Sequence, residues 1–226
     1  SDAIILEEEA VEVSVEEKDL VKTADSSAVY LILNQKRHVF PHIAVYQSWS
    51  YPDDFSTVET ITAEELSLYP EGDPVPFRDG SMFRGTTDSL YGKDASAVFY
   101  VEDGELRPVQ SGEIYQSLFN DPNWNLVTWV PDDLLSKFAY PLGDVISSAD
   151  LHPNGCLVKY EDSPAVYLIE NGKKRQFNSW DTLVANGYKN RKILTISASE
   201  VYVDSDVIGG LAESLTTPVI AAAFRE

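Results

Sequence analysis

Aromatic side chains are the residues of this sequence best suited to binding a ligand. Trp49 and Trp124 lie at or just after predicted helical segments, beside Tyr51 and Asn123. A flat ring with polar neighbours can stack on the face of a sugar when it is exposed, whereas burial in a core is the alternative interpretation. Trp129 lies in a predicted short strand, and we interpret it as a core residue. The candidate binding residues are therefore Trp49, Tyr51 and Trp124.

The sequence lacks the motifs of common catalytic centres. None of its three histidines has the spacing of a zinc site, and His38 and His42 are predicted at the surface. It contains neither the GxSxG elbow of a serine hydrolase nor a glycine-rich phosphate loop. Pairs of acids suited to glycoside hydrolysis are unavoidable among 37 acidic residues, so they carry no specificity. We predict a protein that is not an enzyme and binds neither cofactor nor metal.

The charge balance excludes two classes of partner. The chain has 37 acidic and 17 basic residues, for a formal net charge of −20. Such a surface repels phosphate backbones and anionic lipid, which argues against nucleic-acid binding and membrane docking. No apolar run approaches the roughly 18 residues that membrane insertion requires. The charge is consistent with solubility, with cation binding or with life on a cell surface.

Three stretches of fourteen residues are similar to one another. They read SAVYLILNQKRHVF (27–40), SAVFYVEDGELRPV (96–109) and PAVYLIENGKKRQF (164–177). Ala28, Ala97 and Ala165 align at spacings of 69 and 68 residues, and apolar positions stay in register downstream. A sequence that keeps its apolar positions while its polar ones change is repeating a buried core.

Each unit combines strands with a short helical segment. An apolar strand leads into Asp103-Gly104 or Asn171-Gly172, which are typical of type I′ hairpin turns. Asn34-Gln35 lacks the glycine, so we expect a different turn there. A helical segment and another short strand follow. The predicted fold is α+β, with three tandem ββαβ-type repeats of about 68 residues built from small antiparallel hairpins and short helices.

These patterns divide the chain into five segments. The first is an acidic leader or linker, the last is a C-terminal tail, and the repeats lie between them. The predicted bounds are 1–17 for the leader, 18–78, 79–152 and 153–210 for the repeats, and 211–226 for the tail.

Three arginines recur in the similar stretches. Arg37, Arg107 and Arg175 are aligned with one another in the three copies. Arginine on an apolar face is costly unless its charge is paired, so we predict structural ion pairs within each repeat. The aspartates proposed as partners are Asp25, Asp94 and Asp162. The alternative is a row of arginines that faces an anionic ligand.

The segment KRHVFPHIAVYQSWSYPDDFSTVETITAEELSLYPEGDPV, followed by RDGSMFRG, carries a family resemblance. It resembles uncharacterised repeat segments of large secreted or cell-surface proteins of environmental bacteria, especially candidate-phylum lineages. The resemblance covers about residues 18–210. The first copy fits best, and the third departs from the pattern because it has no Tyr-Pro-x-Gly. The resemblance implies an extracellular location and a repeat architecture, and it transfers no catalytic residue.

The expected function is that of a non-enzymatic extracellular repeat module with a structural, spacer or adhesive role. The alternative is a carbohydrate-binding module that uses exposed aromatic residues, and a glycan-directed hydrolase is a third, less favoured class. The partners expected for such a module are a cell-surface glycan or another envelope protein.

Overall fold

A computed structural model describes residues 15–85, 92–93 and 96–220 of the chain. Within these residues the fold is α+β, since short strands form three small mixed sheets and short helices connect them. The predicted fold class, with its small antiparallel hairpins, is confirmed. None of the helices in these ranges is long and apolar enough to cross a membrane.

The first sheet contains β1 (Leu20–Thr23), β2 (Tyr30–Leu33), β3 (Lys36–Val39) and β4 (Val58–Ile61). The order across the sheet is β3-β2-β1-β4. β2 is antiparallel to β1 and β3, whereas β4 runs parallel to β1. Two parallel strands must be joined by a crossover connection. Here the connection from β3 to β4 contains helix α1 (Ile43–Ser48). Helix α2 (Ala63–Ser67) follows β4.

The second sheet has the same arrangement. Its strands are β5 (Met82–Arg84), β6 (Phe99–Glu102), β7 (Glu105–Pro108) and β8 (Val127–Trp129), in the order β7-β6-β5-β8. β8 runs parallel to β5, and the crossover between β7 and β8 contains helix α3 (Gly112–Phe119). Helix α4 (Asp132–Leu135) follows β8, as α2 follows β4.

The third sheet adds one strand to this pattern. Its members are β9 (Leu157–Tyr160), β10 (Tyr167–Glu170), β11 (Lys173–Gln176), β12 (Ile193–Ile196) and β13 (Val203–Asp204). The order is β12-β9-β10-β11-β13, with β13 parallel to β11. Helix α5 (Trp180–Ala185) lies between β11 and β12, and helix α6 (Glu213–Thr216) follows β13.

The three hairpins turn in the same way. Both central residues of Asn34-Gln35, Asp103-Gly104 and Asn171-Gly172 have positive φ, between 50° and 74°. Positive φ at both positions defines a type I′ turn, so the expectation of a different turn at Asn34-Gln35 is wrong. The physical reason lies outside the turn. The Glu17 carboxylate accepts hydrogen bonds from both backbone N–H groups at 2.8 Å, which offsets the cost of a left-handed backbone at Gln35.

A side chain that precedes each sheet binds the turn of its hairpin. Asp79 accepts from the Gly104 N–H at 3.4 Å, and Asn154 accepts from the Gly172 N–H at 2.9 Å, as Glu17 does in the first sheet. The next residue has positive φ in every sheet: 75° at Lys18, 81° at Gly80 and 87° at Gly155. The same local device therefore starts all three sheets.

Neighbouring sheets share two clusters of buried side chains, and the first and third sheets each have a further cluster of their own. One cluster of buried side chains joins the first and second sheets and includes Leu31, Val45, Phe83 and Phe138. Another joins the second and third sheets and includes Tyr100, Tyr115, Val158 and Leu194. Contacts between neighbouring sheets thus bury the apolar positions that stay in register along the sequence.

Both ends of the described chain pack against sheets. Val15 is buried, and its carbonyl accepts from the Tyr69 hydroxyl at 3.1 Å. Leu215 of α6 is buried against the third sheet, next to Ala212, whose N–H donates to Asn186 Oδ1 at 2.9 Å. Residues 1–14 of the predicted leader and 221–226 of the predicted tail lie outside the described residues.

Candidate functional site

A groove of about 610 Å³ opens beside the second sheet. Its walls come from β8, the beginning of α3 and the loop between them. Trp124 and Trp129 line it and are 40% and 57% exposed. The other described lining residues are Arg84, Lys93, Ser96, Ala97, Val98, Pro108, Val109, Gln110, Ser111, Gly112, Tyr115, Asn123, Val127 and Val145. A concave surface with exposed aromatic residues and a few polar groups is typical of a ligand site.

Helix α3 fixes the orientation of Trp124. The helix begins after the N-cap residue Ser111, whose hydroxyl accepts from the Ile114 N–H. Gly112 lies beside the indole, where an added Cβ would be in ordinary van der Waals contact with the Trp124 ring at 3.6 Å. One turn further on, Tyr115 stacks on Trp124 with ring centroids 4.2 Å apart and planes 11° apart. One face of the indole is therefore supported by Tyr115.

Asp121 holds the loop that carries Trp124. Its buried carboxylate accepts from the Tyr115 hydroxyl at 2.6 Å and from the Leu126 N–H at 2.8 Å. The backbone N–H of Trp124 donates to the Asp121 carbonyl at 3.0 Å, and Trp124 has a φ of 57°. Burial acts to raise the pKa of Asp121, but these hydrogen bonds and nearby Lys192 outweigh burial, so its pKa is lowered. The loop is thus organised around an ionised carboxylate.

Trp129 also lines the groove and lies on β8. The interpretation of Trp129 as a core residue is wrong, because β8 is an edge strand and the indole is more than half exposed. Arg84 of the neighbouring β5 contacts the ring, with its guanidinium carbon 4.1 Å from the centroid. Their adjacency follows from the register, in which Arg84 and Trp129 are direct partners.

Sequence reasoning did not identify Arg84 or Trp129 as site residues, although the chain contains a signal. The positions that correspond to Trp129 in the other two sheets are Thr60 and Thr195, each paired with a lysine of the adjacent strand. The second sheet thus carries a tryptophan where the other two sheets carry a threonine. The comparison depends on the strand register, which the structure supplies.

The groove combines stacking surfaces with hydrogen-bonding groups. Gln110 and Asn123 bring side-chain amides, and Ser111 brings a hydroxyl. Arg84 and Lys93 bring positive charge, and none of the described residues that line the groove is an aspartate or a glutamate. This arrangement can hold a flat molecule between aromatic faces and bind its polar edges.

A larger cavity of about 670 Å³ lies between the sheets and has a different character. Its lining includes four acidic residues: Asp79, Asp103, Glu105 and Glu170. Arg78 also lines it, but its guanidinium donates to the carbonyls of Asn186, Gly187 and Leu215. The polar groups of Arg78 are thus engaged in holding the sheets together.

The structure places Trp49 and Tyr51 at the first sheet, away from Trp124. The indole N–H of Trp49 donates to the Pro76 carbonyl at 2.9 Å. Tyr51 packs on Phe40 and Tyr46, and burial raises the pKa of Tyr51 to about 12. The predicted binding residues therefore divide between two places, and Trp124 alone among them lines the groove beside the second sheet.

The ion pairs of the three arginines differ from the prediction. Arg37 pairs with Glu71 at 2.8 Å, Arg107 pairs with Glu102, and Arg175 pairs with Glu170 at 2.6 Å. The predicted partners Asp25 and Asp162 are not the acids in these pairs, and Asp94 lies outside the described residues. In the second and third sheets, glutamate and arginine lie diagonally across the hairpin on one face, within reach of long side chains.

The predicted alignment of the three arginines is also wrong for the first copy. Arg107 lies opposite Tyr100 and Arg175 opposite Leu168, as expected, but the corresponding residue of the first sheet is His38, opposite Leu31. His38 Nδ1 lies 2.7 Å from the carbonyl oxygen of Asp73. The Nε groups of the two arginines donate to the corresponding carbonyls, those of Asp144 and Asp206. A buried histidine therefore takes the place of an arginine.

The histidine and cysteine side chains that could take part in chemistry are buried or hydrogen-bonded within the fold. His38, predicted at the surface, is 5% exposed. Cys156 is buried, and burial raises the pKa of its thiol to about 12. His152 Nδ1 lies 2.5 Å from Glu200 Oε1. In the part of the chain that the structure describes, no group of three or more His, Cys, Asp or Glu side chains is placed to hold a metal ion.

The fold and the groove define an α+β protein of three small mixed sheets with an aromatic groove on the middle one. By sequence, the chain is similar to Protein CgeD of Bacillus subtilis (strain 168), with 30% identity over 128 residues. That alignment covers 57% of this chain and 25% of CgeD, so the chain spans about a quarter of that relative. No protein-family model matches the chain.

Two solved structures overlap with the chain only weakly. The periplasmic assembly from the ESX-5 inner membrane complex has 12% identity and a TM-score of 0.24, over 90% of this chain and 70% of that one. An intact ESX-5 inner membrane complex has 13% identity and a TM-score of 0.23, over 88% and 56%. Overlap at this level implies neither a common fold nor a common function.

Proposed function

We propose that this chain is a non-enzymatic extracellular module of a bacterial surface or secreted protein, built from three tandem ββαβ-type repeats. The observation that carries the proposal is the common strand order of the three sheets, each started by a side chain that binds its own hairpin turn. Tandem units that bury their faces on one another form extended scaffolds, which suits a structural, spacer or adhesive role.

The groove of the second sheet favours a second, more specific candidate, a carbohydrate-binding module. Trp124 is held by Tyr115 and by the loop around Asp121, so its exposed part needs little ordering when a ligand binds. Trp129 presents a second large aromatic surface in the same groove. In this form the module is adhesive, and its partner is a cell-surface glycan.

A glycan array combined with an assay for new reducing ends tests both forms and the hydrolase alternative. Binding without release of reducing ends is the expected result for a binding module. Release of reducing ends would contradict the proposal of a non-enzymatic protein. Absence of binding to any glycan would eliminate the carbohydrate-binding candidate and leave the structural or spacer role.

Matched tryptophan variants locate the binding. Trp129 in the groove and Trp180 at the start of α5 are 57% and 56% exposed, and Trp180 does not line the groove. We expect Trp129→Ala to lose glycan binding and Trp180→Ala to retain it. Equal effects of the two substitutions would show that the groove is not the binding site.

A further inference from the structure

The described residues that line the groove carry a charge opposite to that of the whole chain. The chain carries 37 acidic and 17 basic residues, yet the described lining of the groove contains Arg84 and Lys93 and no acidic residue. The larger cavity between the sheets is lined by four acids, so the absence of acids is not a general property of concave surfaces in this protein. A groove whose described lining has no carboxylate repels an anion less than the acidic surface around it does.

We infer that the groove binds an oligosaccharide that carries a carboxylated sugar, with the sugar carboxylate at Arg84 and Lys93 and a neighbouring sugar ring on Trp124. This inference rests on the proposed carbohydrate-binding function. A guanidinium stacked on an aromatic ring can still donate from its edge, and its planar fork matches a carboxylate. The 4.1 Å contact with Trp129 holds the Arg84 guanidinium at the wall of the groove.

The charge of the rest of the chain limits the ligand further. With a net charge of −20, the protein repels a polymer that carries an anion on every unit, including a nucleic acid. One positively charged groove accommodates a single anionic sugar between neutral ones. The inferred ligand therefore carries its carboxylated sugar next to uncharged ones, and an oligosaccharide in which the two kinds alternate meets this requirement.

Calorimetric titration with three probes of equal length tests the inference. The probes are a tetrasaccharide of alternating glucuronic acid and N-acetylglucosamine, the neutral tetramer of N-acetylglucosamine, and the tetramer of galacturonic acid. We expect the alternating tetrasaccharide to bind about tenfold more tightly than the neutral tetramer, because a charge-assisted hydrogen bond adds that much affinity. We also expect it to bind more tightly than the galacturonic acid tetramer, because the acidic protein repels a ligand with a charge on every unit. The affinity for the alternating tetrasaccharide falls as salt is added, whereas that for the neutral tetramer does not.

Two variants separate charge from stacking. Lys93→Gln and Arg84→Gln remove one charge each, and we expect each to lower the affinity for the alternating tetrasaccharide by about tenfold relative to the affinity of the same variant for the neutral tetramer. Trp124→Ala weakens both. Thermal unfolding of each variant checks that the fold is retained, and Lys93→Gln remains informative if Arg84→Gln does not fold.

The outcomes distinguish the two proposals. Equal affinity for the neutral and the alternating tetrasaccharide would overturn the charge preference and leave carbohydrate binding intact. Tighter binding of the galacturonic acid tetramer would overturn the assignment of the ligand. If no oligosaccharide bound to the folded protein, the carbohydrate-binding function itself would fail.

Discussion

The guanidinium carbon of Arg78 lies 4.0 Å from the ring centroid of Tyr188. Arg78 belongs to the segment that leads from the first sheet to the second, whereas Tyr188 belongs to the third unit. Arg78 is 4% exposed in this position, and the hydrogen bonds of its guanidinium to the carbonyls of Asn186 and Leu215 are 2.7 and 2.6 Å long. Burial lowers the pKa of Arg78, but the surrounding carbonyl oxygens satisfy its donors.

Replacement of Arg78 by methionine should weaken the attachment of the third sheet. The substitution leaves buried carbonyl groups without donors, so we expect the free energy of unfolding in urea to fall by about 3 kcal/mol. Lys36→Met is the control, since it removes a positive charge from an exposed position. Similar unfolding midpoints for the two variants would refute the role of Arg78 as a connection between sheets.

Gly72 should not tolerate a side chain. An added Cβ would lie 2.2 Å from Cε1 of His38, and this ring is held by the carbonyls of Asp73 and Leu33. We expect Gly72→Ala to lower the free energy of unfolding by about 2 kcal/mol through overpacking. Gly210→Ala is the matched control, because an added Cβ meets nothing within 4 Å and the backbone there is not left-handed. Thermal denaturation of the pair would show the difference, and equal stabilities would contradict the close contact.

Asp121 should make the free energy of unfolding depend on pH in the acidic range. Its pKa is lowered in the folded protein, so its contribution is fully present above the unfolded-state pKa, about 3.9, and is lost as the pH falls through the folded-state pKa. We expect Asp121→Asn to lower the free energy of unfolding at neutral pH by about 1–2 kcal/mol, with less difference from the wild type in acid. Urea unfolding between pH 7 and pH 2 measures this, and a difference that stays constant with pH would count against an ionised Asp121.

The first hairpin should become more stable with glycine at its second turn position. Gln35 has a φ of 58°, whereas the corresponding residues Gly104 and Gly172 adopt positive φ without a Cβ. We expect Gln35→Gly to raise the free energy of unfolding by about 0.5–1 kcal/mol, because the relief of backbone strain exceeds the added entropy of the unfolded chain. Gln110→Gly is a comparison at a position without positive φ and should destabilise the protein. A loss of stability in Gln35→Gly would mean that the contacts of Glu17 already remove the strain.

Local features of the chain were predictable from its sequence. The Asp103-Gly104 and Asn171-Gly172 dipeptides, each between an apolar strand and its partner, identified two hairpins and their turn type. The third turn was misjudged because its geometry depends on Glu17, a residue well before the hairpin. A turn type that depends on the two turn residues themselves can be predicted from the sequence. A turn type that depends on a side chain from another segment cannot.

The arginines illustrate a limit of alignment by composition. Arg37 was matched with Arg107 and Arg175, but it lies one position away from their equivalent, which is His38. In a strand, a shift of one residue moves the side chain to the opposite face of the sheet. The acids that pair with these arginines differ from the predicted ones for the same reason, since the face and register of the hairpin determine which acid is within reach.

The sequence by itself determined the α+β class, the hairpins and the positions that face a core, because alternation and turn residues act over a few neighbouring positions. The tertiary structure alone decided which tryptophans are exposed. Trp129 follows a strand pattern that indicates burial, yet its strand lies at the edge of a sheet and its ring rests against Arg84. Exposure depends on what packs above a residue, and for Trp124 and Trp129 this is set by the packing of Tyr115 on Trp124 and by the edge position of β8.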